Sequence, residues 1–535
     1  MVTVPAWLNC AVVIAGCAAI VFSVSPAALA GDKEKLRRNV RTEDPKLNLL
    51  VEKLYNDCVF SKLFDPKPPA LPNKWFSPGG GYVGQWIWDT MFVLNAYAPA
   101  GDDEVIRGVF DNYWHTIDNN PNAPKGSPSY GMVPNFLRPW PPLGYSQIPI
   151  LAWGCEMVYR QTNDRKLIER CLPYLVIFDE WYSTERDVDG DGLIEYGAYF
   201  AIGGSDIVQT ARYETFDFEP TLDGMKMTKH PKRDSGGEWY GNIDGVDQTC
   251  FLLMSERAIV RMARELGKTK LAGRYEKIIT RRVKAIRDKM WDPKTKFFYS
   301  LDRDTDVQIP VKTIQGFLTL TCGAATKEQA SALVEQLRDP KQWWCAYPVP
   351  TVAIDAPKFS AQGFWRGDMW PPTTYLVLLG LNRYGYNDEA QELTGRMRKL
   401  IGEKGINERY DATTGQPLGV EGLGMSCSAW LMMVNSLYGV QEDFRTIRAP
   451  TNPSGRRLTL GKLEVEYPSN DSVELRTGFK RQFRVEFPAA KSKLKPTITR
   501  NGQPLARDQV TVSGRAVVFT AEPGRIYRVR RGVGR

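Results

Sequence analysis

The run Asp187-Val188-Asp189-Gly190-Asp191-Gly192-Leu193-Ile194-Glu195 sets three carboxylates at alternate positions, a glycine where the chain must turn tightly, and a closing carboxylate. Hard cations take about six to eight oxygen ligands, and such a loop offers carboxylates together with a backbone carbonyl. It is shorter than an EF-hand loop, whose glutamate stands at about the twelfth position. It reads as a structural calcium site built on Asp187, Asp189, Asp191 and Glu195. The plainer alternative is a metal-free Asp-Gly turn closed by side chain–backbone bonds.

Other carboxylates stand beside aromatic rings. Gly79-Gly80-Gly81-Tyr82-Val83-Gly84-Gln85-Trp86-Ile87-Trp88-Asp89 leads into a helical pattern. Sugars offer apolar faces for stacking and hydroxyls for carboxylates, so Trp86, Trp88 and Asp89 suit a sugar subsite. They equally suit two core tryptophans and a helix cap. Ser205-Asp206, followed by Arg212, and Asn407-Glu408-Arg409-Tyr410-Asp411 supply candidate acids, with Phe364 to Pro372 between them. Two carboxylates facing across a cleft are the minimal machine for glycoside hydrolysis, one donating a proton and one activating water. Most loop carboxylates are solvated or cap helices. Spacing alone therefore does not choose Asp206 and Glu408 over rivals such as Asp244, Asp368 and Glu421. The two histidines, His115 and His230, disfavour chemistry built on several histidines.

The elements that must position these groups are legible in the periodicity. Apolar residues recur at i, i+3 and i+4 in twelve segments starting near Pro45, Trp86, Asp103, Ser146, Arg165, Val246, Lys270, Pro310, Lys327, Pro371, Asp388 and Met425. The links between them alternate. Those after the even-numbered segments are tight, and those after the odd-numbered ones are long. Structureless links beyond about 12–15 residues are usually functional. Six helix pairs closed in a ring would gather every long link at one face. This predicts an (α/α)6 barrel over residues 31–450, with its cleft among those links. An open solenoid would need repeats of near-constant length, which these are not. From residue 451 to 535 short, partly alternating segments are separated by Ser469-Asn470-Asp471, Asn501-Gly502 and Pro523-Gly524. They predict a small C-terminal β-sandwich.

Composition narrows the class further. The chain has 535 residues, 43% hydrophobic and 24% charged, which excludes a disordered, collagenous or polytopic membrane protein. Its net charge of +9 is uneven. Thr451 to Arg535 holds 18 Lys/Arg against 7 Asp/Glu, and residues 1–30 carry no charged side chain, so the helical part is slightly acidic. The basic tail reads as a solvated face packed on the barrel, and no base-reading motif points to nucleic acid. Ala11 to Ala30 is apolar and small and ends Ala28-Leu29-Ala30, which matches a signal peptide over 1–30 and a periplasmic or secreted protein. An uncleaved N-terminal anchor is the alternative, and otherwise no membrane association is expected. Seven unclustered cysteines then remain, read mostly as small buried apolar residues with room for one disulfide.

These motifs resemble the inverting α-glycosidases of glycoside hydrolase family 63 and the related mannosylglycerate-hydrolase-like and trehalase families. The resemblance lies in Gln85 to Asp89, Gly131-Met132-Val133-Pro134-Asn135, Ser146-Gln147-Ile148-Pro149, Asp187 to Glu195, Ser205-Asp206, Phe364-Trp365-Arg366-Gly367-Asp368-Met369-Trp370-Pro371-Pro372 with Tyr375, and Glu408-Arg409-Tyr410 with Thr414-Gly415. The resemblance implies an (α/α)6 barrel with Asp206 as general acid and Glu408 as general base. It implies sugar contacts from Trp88, Asp89, Gln147, Trp365 and Arg366, with Trp86 and Trp370 as further candidates for the same subsite, and calcium on Asp187, Asp189, Asp191 and Glu195. An inverting pair implies about 6.5–9.5 Å between the Asp206 and Glu408 carboxyl groups.

The chain departs from the family where Asp206 is followed by Ile207-Val208-Gln209-Thr210-Ala211-Arg212 rather than Asn-Ser-Pro-Arg, and where Ser426-Cys427-Ser428 replaces an expected tryptophan. Both departures bear on substrate choice. Trehalases carry their base in a Gly-rich loop nearer the last helix, which would point to Glu421, whereas the Tyr and Thr-Gly context points to Glu408. The implied substrate is a small α-linked glucoside or mannoside. A polysaccharide lyase on the same fold and a non-catalytic carbohydrate-binding protein remain as rival functions.

Overall fold

The structure is a computed structural model that describes residues 26–127, 129–138, 140, 146–199, 227–229, 238–488 and 496–532. Helix α1 spans Pro26–Asn39, across the expected cleavage point after Ala30. Among the described residues twelve further helices follow in six pairs: α2 (Pro45–Cys58), α3 (Ile87–Tyr97), α4 (Asp103–Asn119), α5 (Leu151–Thr162), α6 (Arg165–Glu185), α7 (Val246–Glu265), α8 (Thr269–Ala285), α9 (Gln315–Thr321), α10 (Lys327–Leu337), α11 (Pro371–Tyr384), α12 (Asn387–Lys404) and α13 (Ser428–Leu437). All twelve expected segments are helical. No helix among the described residues is long and apolar enough to cross a membrane.

Two populations of helix alternate. Every residue of α3 and of α9 is buried, whereas α8 buries only Ala272, Tyr275 and Arg282. The odd helices from α3 to α13 are apolar on nearly every side because other helices cover them all round. Each packs against the next, and α13 packs back against α3, so these six close a ring. The even helices lie outside it. Asp44, Asp102, Asp164 and Thr326 cap α2, α4, α6 and α10 with side-chain bonds to backbone N–H groups. None of the six ring helices has a cap from its own N-cap side chain. Their N-terminal N–H groups are left to partners supplied by the long links.

Three helix starts differ from the periodicity. Helix α5 begins at Leu151 rather than near Ser146, because Pro149 disfavours a helical Ile148 before it. Helix α9 begins at Gln315 rather than near Pro310, since Thr313 is taken up in a bridge to Val352. Gly424–Cys427 is a turn of 3-10 helix ahead of α13.

The long links hold short antiparallel strands. Strand β2 (Glu195–Tyr199) pairs with β3 (Glu238–Asp244), and β4 (Asn407–Tyr410) pairs with β5 (Pro417–Glu421). The strand-rich C-terminal region forms two sheets. One runs in the order β1 (Val40–Thr42), β7 (Arg457–Leu460), β8 (Leu463–Ser469), β9 (Ser472–Thr477), β15 (Tyr527–Arg530), β11 (Thr497–Arg500), β12 (Gln503–Pro504). The other runs β6 (Thr446–Arg448), β10 (Arg481–Glu486), β14 (Ala516–Ala521), β13 (Val510–Ser513). Phe519 of the second sheet stacks on Tyr527 of the first with ring centroids 5.1 Å apart. The stretch 458–467 reads as one strand in sequence but is a hairpin, with Leu460 opposite Leu463 and Gly461 at φ +60°. Strand β1 comes from the N-terminal region, and nothing in its three residues announces a partner four hundred residues away. All seven cysteines from Cys58 to Cys427 are unpaired thiols, six of them buried and Cys345 partly so.

Candidate active site

Strand β4 carries Glu408 at a register irregularity between Asn407 and Arg409, and its carboxylate is 3% exposed. The Val420 N–H donates to Oε2 at 2.8 Å and the Tyr82 hydroxyl donates to Oε1 at 3.2 Å. Burial pushes the Glu408 carboxyl above the ordinary glutamate value, against the lowering effect of the Val420 bond, the Arg409 charge and the Tyr82 bond. Gly419 is what lets the strand approach: its φ is +72°, and a Cβ there would stand 2.2 Å from Glu408 Oε2. Tyr82 lies in the Gly-rich run before α3 and meets the Trp86 ring edge-on at 6.0 Å.

Asp89, in the first turn of α3, is buried, and its carboxyl is pushed up to about 8, first by burial and then by the charge of Glu408. At neutral pH Asp89 is therefore mostly a neutral acid that can donate a hydrogen bond. Trp86 stacks on Phe136 at 4.5 Å and is partly exposed. Trp88 lies deeper, edge-on to Phe92 and Phe251. The Gln147 Oε1 accepts from the Trp88 N–H at 2.8 Å, which supplies the missing cap of α3.

The link before α11 folds two tryptophans together. Trp365 has φ +57° and stacks on Trp370 with centroids 4.2 Å apart and planes 8° from parallel. Arg366 is half-buried beside them. A Cβ on Gly367 would meet Phe359 and the Ser360 carbonyl at 2.6 Å, so this tight turn takes no larger residue. Asp368 is fully buried, accepts from Thr351 Oγ1 at 3.0 Å and pairs with Arg409 at 3.1 Å. Burial pushes its carboxyl up to about 7 despite the Arg409 charge. Glu421, the rival base, is exposed at the end of β5. His115 stands on the outer helix α4 beside Trp140, away from the ring. Asp206, Arg212 and His230 lie outside the described residues.

The acidic loop closes around its own backbone. Asp187, Asp189 and Asp191 each offer an oxygen within 4.8 Å of the others. Asp187 accepts from the Gly192 N–H, Asp191 from the Leu193 N–H, and both Glu195 oxygens from the Val188 N–H at 3.1 Å. Gly190 and Gly192 take φ +79° and +98° to make the turn. Arg281 and Lys289 pair with Asp187 and Asp191. Burial pushes Glu195 up to about 8.

Sequence reasoning named Glu408, Asp89, Gln147 and the tryptophans, and the structure brings Glu408 and Asp89 together. It passed over Tyr82 and the Asp368–Arg409 pair as partners. A tyrosine after three glycines was the only trace of the first, and the second joins residues 41 positions apart.

The six ring helices, the long links at their starts and the buried carboxyls of Glu408 and Asp89 near aromatic rings make up the candidate site. Residues 82–428 match the mannosylglycerate hydrolase MGH1-like glycoside hydrolase domain, and the chain belongs to that family, within glycoside hydrolase family 63. It is 24% identical to a mannosylglycerate hydrolase of Rubrobacter radiotolerans over 391 residues, 62% of this chain and 87% of that one. It is 21% identical to a periplasmic trehalase of Escherichia coli O1:K1 / APEC over 380 residues, 64% of each chain. The solved mannosylglycerate hydrolase of Thermus thermophilus, in complex with glucose, matches in fold with a TM-score of 0.56 at 22% identity, covering 73% of this chain and all of that one.

Proposed function

We propose that the protein is an exported inverting α-glycosidase that hydrolyses a small α-linked glucoside or mannoside, of the trehalose, glycosylglycerate or short oligosaccharide kind. The observation that carries this reading is the cradle of Glu408. Two donors fix both oxygens of a buried carboxylate whose proton affinity burial has raised, which suits a general base near neutral pH. Glu408 takes a proton from water as that water attacks the anomeric carbon. Asp206 gives a proton to the leaving oxygen. Asp89, largely protonated and next to the base, donates a hydrogen bond to a hydroxyl of the sugar. Trp86, Trp88, Gln147, Trp365, Arg366 and Trp370 shape the sugar subsite. The exposure of Glu421 and the engagement of Asp368 by Arg409 favour Glu408 over these two of its rivals.

In this reading the ring of helices is an (α/α)6 barrel over residues 31–450. The two C-terminal sheets form a β-sandwich over 451–535, to which β1 and β6 add strands. Residues 1–30 are a signal peptide and the protein is periplasmic or secreted. The Asp187–Glu195 loop holds a structural calcium ion, since three carboxylates within 4.8 Å and two left-handed glycines make an oxygen-lined turn. When bound, the ion would neutralise and brace the loop.

The test is a panel of α-linked disaccharides and glycosylglycerates, with the product anomer followed by NMR. Release of the inverted anomer by the wild type and its loss in Glu408→Gln, with an unchanged circular dichroism spectrum, supports the reading. Retention of configuration, or wild-type rates in Glu408→Gln, sinks it.

A further inference from the structure

Helices α5 and α6 form a hairpin across the short link Asn163-Asp164. Asn163 turns the chain in the left-handed conformation, at φ +58°, and Asp164 caps α6. Two cysteines stand at matching heights on its arms. Cys155 lies eight residues before Asn163 and Cys171 eight residues after it. At about 1.5 Å per residue, each is about 12 Å of helix away from the turn.

Both point inward. On α6 the buried Leu167, Ile168, Cys171, Leu172 and Leu175 recur at the spacing of one helix face, while Glu169 and Arg170 between them are exposed. That face packs on α5 and α7. Cys155 is fully buried on α5, and the Cys171 side chain is the neighbour that acts on it most, by contact and by charge.

The spacing suits a covalent bond. Packed helices stand about 8–10 Å apart, axis to axis, and carry their Cα atoms about 2.3 Å off each axis. Facing Cα atoms are then about 3.5–5.5 Å apart, and a disulfide takes about 4.4–6.8 Å. In the structure both sulfurs are thiols. Burial, and after it the Cys171 thiol, pushes the Cys155 thiol well above its ordinary value, so in the folded barrel it is a poor nucleophile. Such a bond has to be made while the hairpin is still open to solvent, before the ring of helices closes round α5. A contact between residues only sixteen positions apart is local enough to form that early.

We propose that Cys155 and Cys171 are a disulfide-forming pair, joined as the chain folds in an oxidising compartment, and that the bond staples ring helix α5 to outer helix α6. The setting rests on the reading that the protein is exported, because cytosolic thiols are kept reduced. The oxidant is a small-molecule or protein disulfide. One cysteine, as thiolate, attacks it, forms a mixed disulfide and releases the oxidant's first thiol. The other cysteine, as thiolate, attacks that mixed disulfide and releases the second. The protein gains one S–S bond and gives up two S–H bonds, and the oxidant leaves as two thiols that carry the two protons. The stapled arms have Gln147 just before α5 and the acidic loop just after α6, so the bond holds two parts of the candidate site on one covalent frame.

Oxidative refolding of the full-length protein tests this. The chain is unfolded in guanidinium and dithiothreitol, refolded in a buffer of reduced and oxidised glutathione, alkylated and digested with trypsin without reduction. Arg160, Arg165, Lys166 and Arg170 lie between the two cysteines, so trypsin parts them and mass spectrometry reads any link directly. The expected result is a joined pair of peptides holding Cys155 and Cys171, two hydrogens lighter than the separate thiol peptides. The linked protein should also melt several degrees above protein refolded in dithiothreitol. Cys171→Ala should lose the link and melt alike in both preparations. Alkylated Cys155 and Cys171 after oxidative refolding, or either one joined to another cysteine, overturns the proposal. Should the variant fail to fold, the wild-type peptide map decides alone. Cell fractionation reads export separately: protein recovered in the cytoplasm sinks that reading, whereas the refolding result stands or falls without it.

Discussion

Gly419 and Glu408 are locked together: the glycine's φ of +72° and its missing side chain let β5 close on the carboxylate, and a methyl group would fall 2.2 Å from Oε2. Gly419→Ala must therefore displace the carboxylate or the strand, and it also pays about 1 kcal/mol or more for a left-handed backbone. The expected result is a loss of turnover of at least tenfold together with a lower Tm. Wild-type kinetics in this variant would show that Glu408 does not need its cradle.

Tyr82 touches the same carboxylate and its bond lowers the Glu408 proton affinity. Removing it in Tyr82→Phe should raise that affinity further. A base works deprotonated, so the acid limb of the kcat/KM profile should move to higher pH. Activity should fall most at low pH and recover toward the alkaline side. A profile displaced the other way, or unchanged, would rule out Glu408 as the group seen on that limb.

Asp89 gives a stability signature. Its carboxyl is held at about 8 in the folded state, against about 4 when unfolded. A folded carboxyl with raised affinity favours folding at low pH and loses that contribution as pH climbs from about 4 to about 8. Asp89→Asn lacks this penalty. Its stability relative to wild type should grow across that window and level off above pH 8, reaching on the order of a few kcal/mol. Urea unfolding at pH 5 and pH 9 measures it, and an equal difference at both pH values contradicts the burial of a lone charge. Sugar hydrolysis should fall in the same variant.

The Asp368–Arg409 pair is the stabilising counterpart. Asp368 is fully buried and the Arg409 side chain is 16% exposed. Arg409→Ala leaves an uncompensated carboxyl, and breaking such a pair costs about 3–5 kcal/mol. Denaturant unfolding at pH 8 should register the loss. It should shrink below pH 6, because Asp368 without Arg409 is protonated there and the lost charge no longer matters. A pH-independent loss would point to the Arg409 guanidinium lying over the Phe364 ring instead.

The sequence by itself determined the elements. A 3.6-residue period survives in any helix with a buried face, so all twelve described helices from Pro45 to Leu437 were legible. So was the alternation of tight and long links that sends the carboxylates to one set of loops. The Asp-Gly loop was legible too, because its carboxylates lie within nine consecutive residues. What only the tertiary structure decided are meetings between distant segments. Val40–Thr42 pairs with Arg457–Leu460 because it fills an open sheet edge, a need that three residues cannot encode. Glu408 is buried and held while Glu421 is exposed, although both sit on one short hairpin, because strand alternation and Gly419 turn one inward and leave the other in solvent. Asp244 stands opposite Glu195 across two strands whose connecting segment is some forty residues long, and only the register of that pair brings the two carboxyl-bearing residues together.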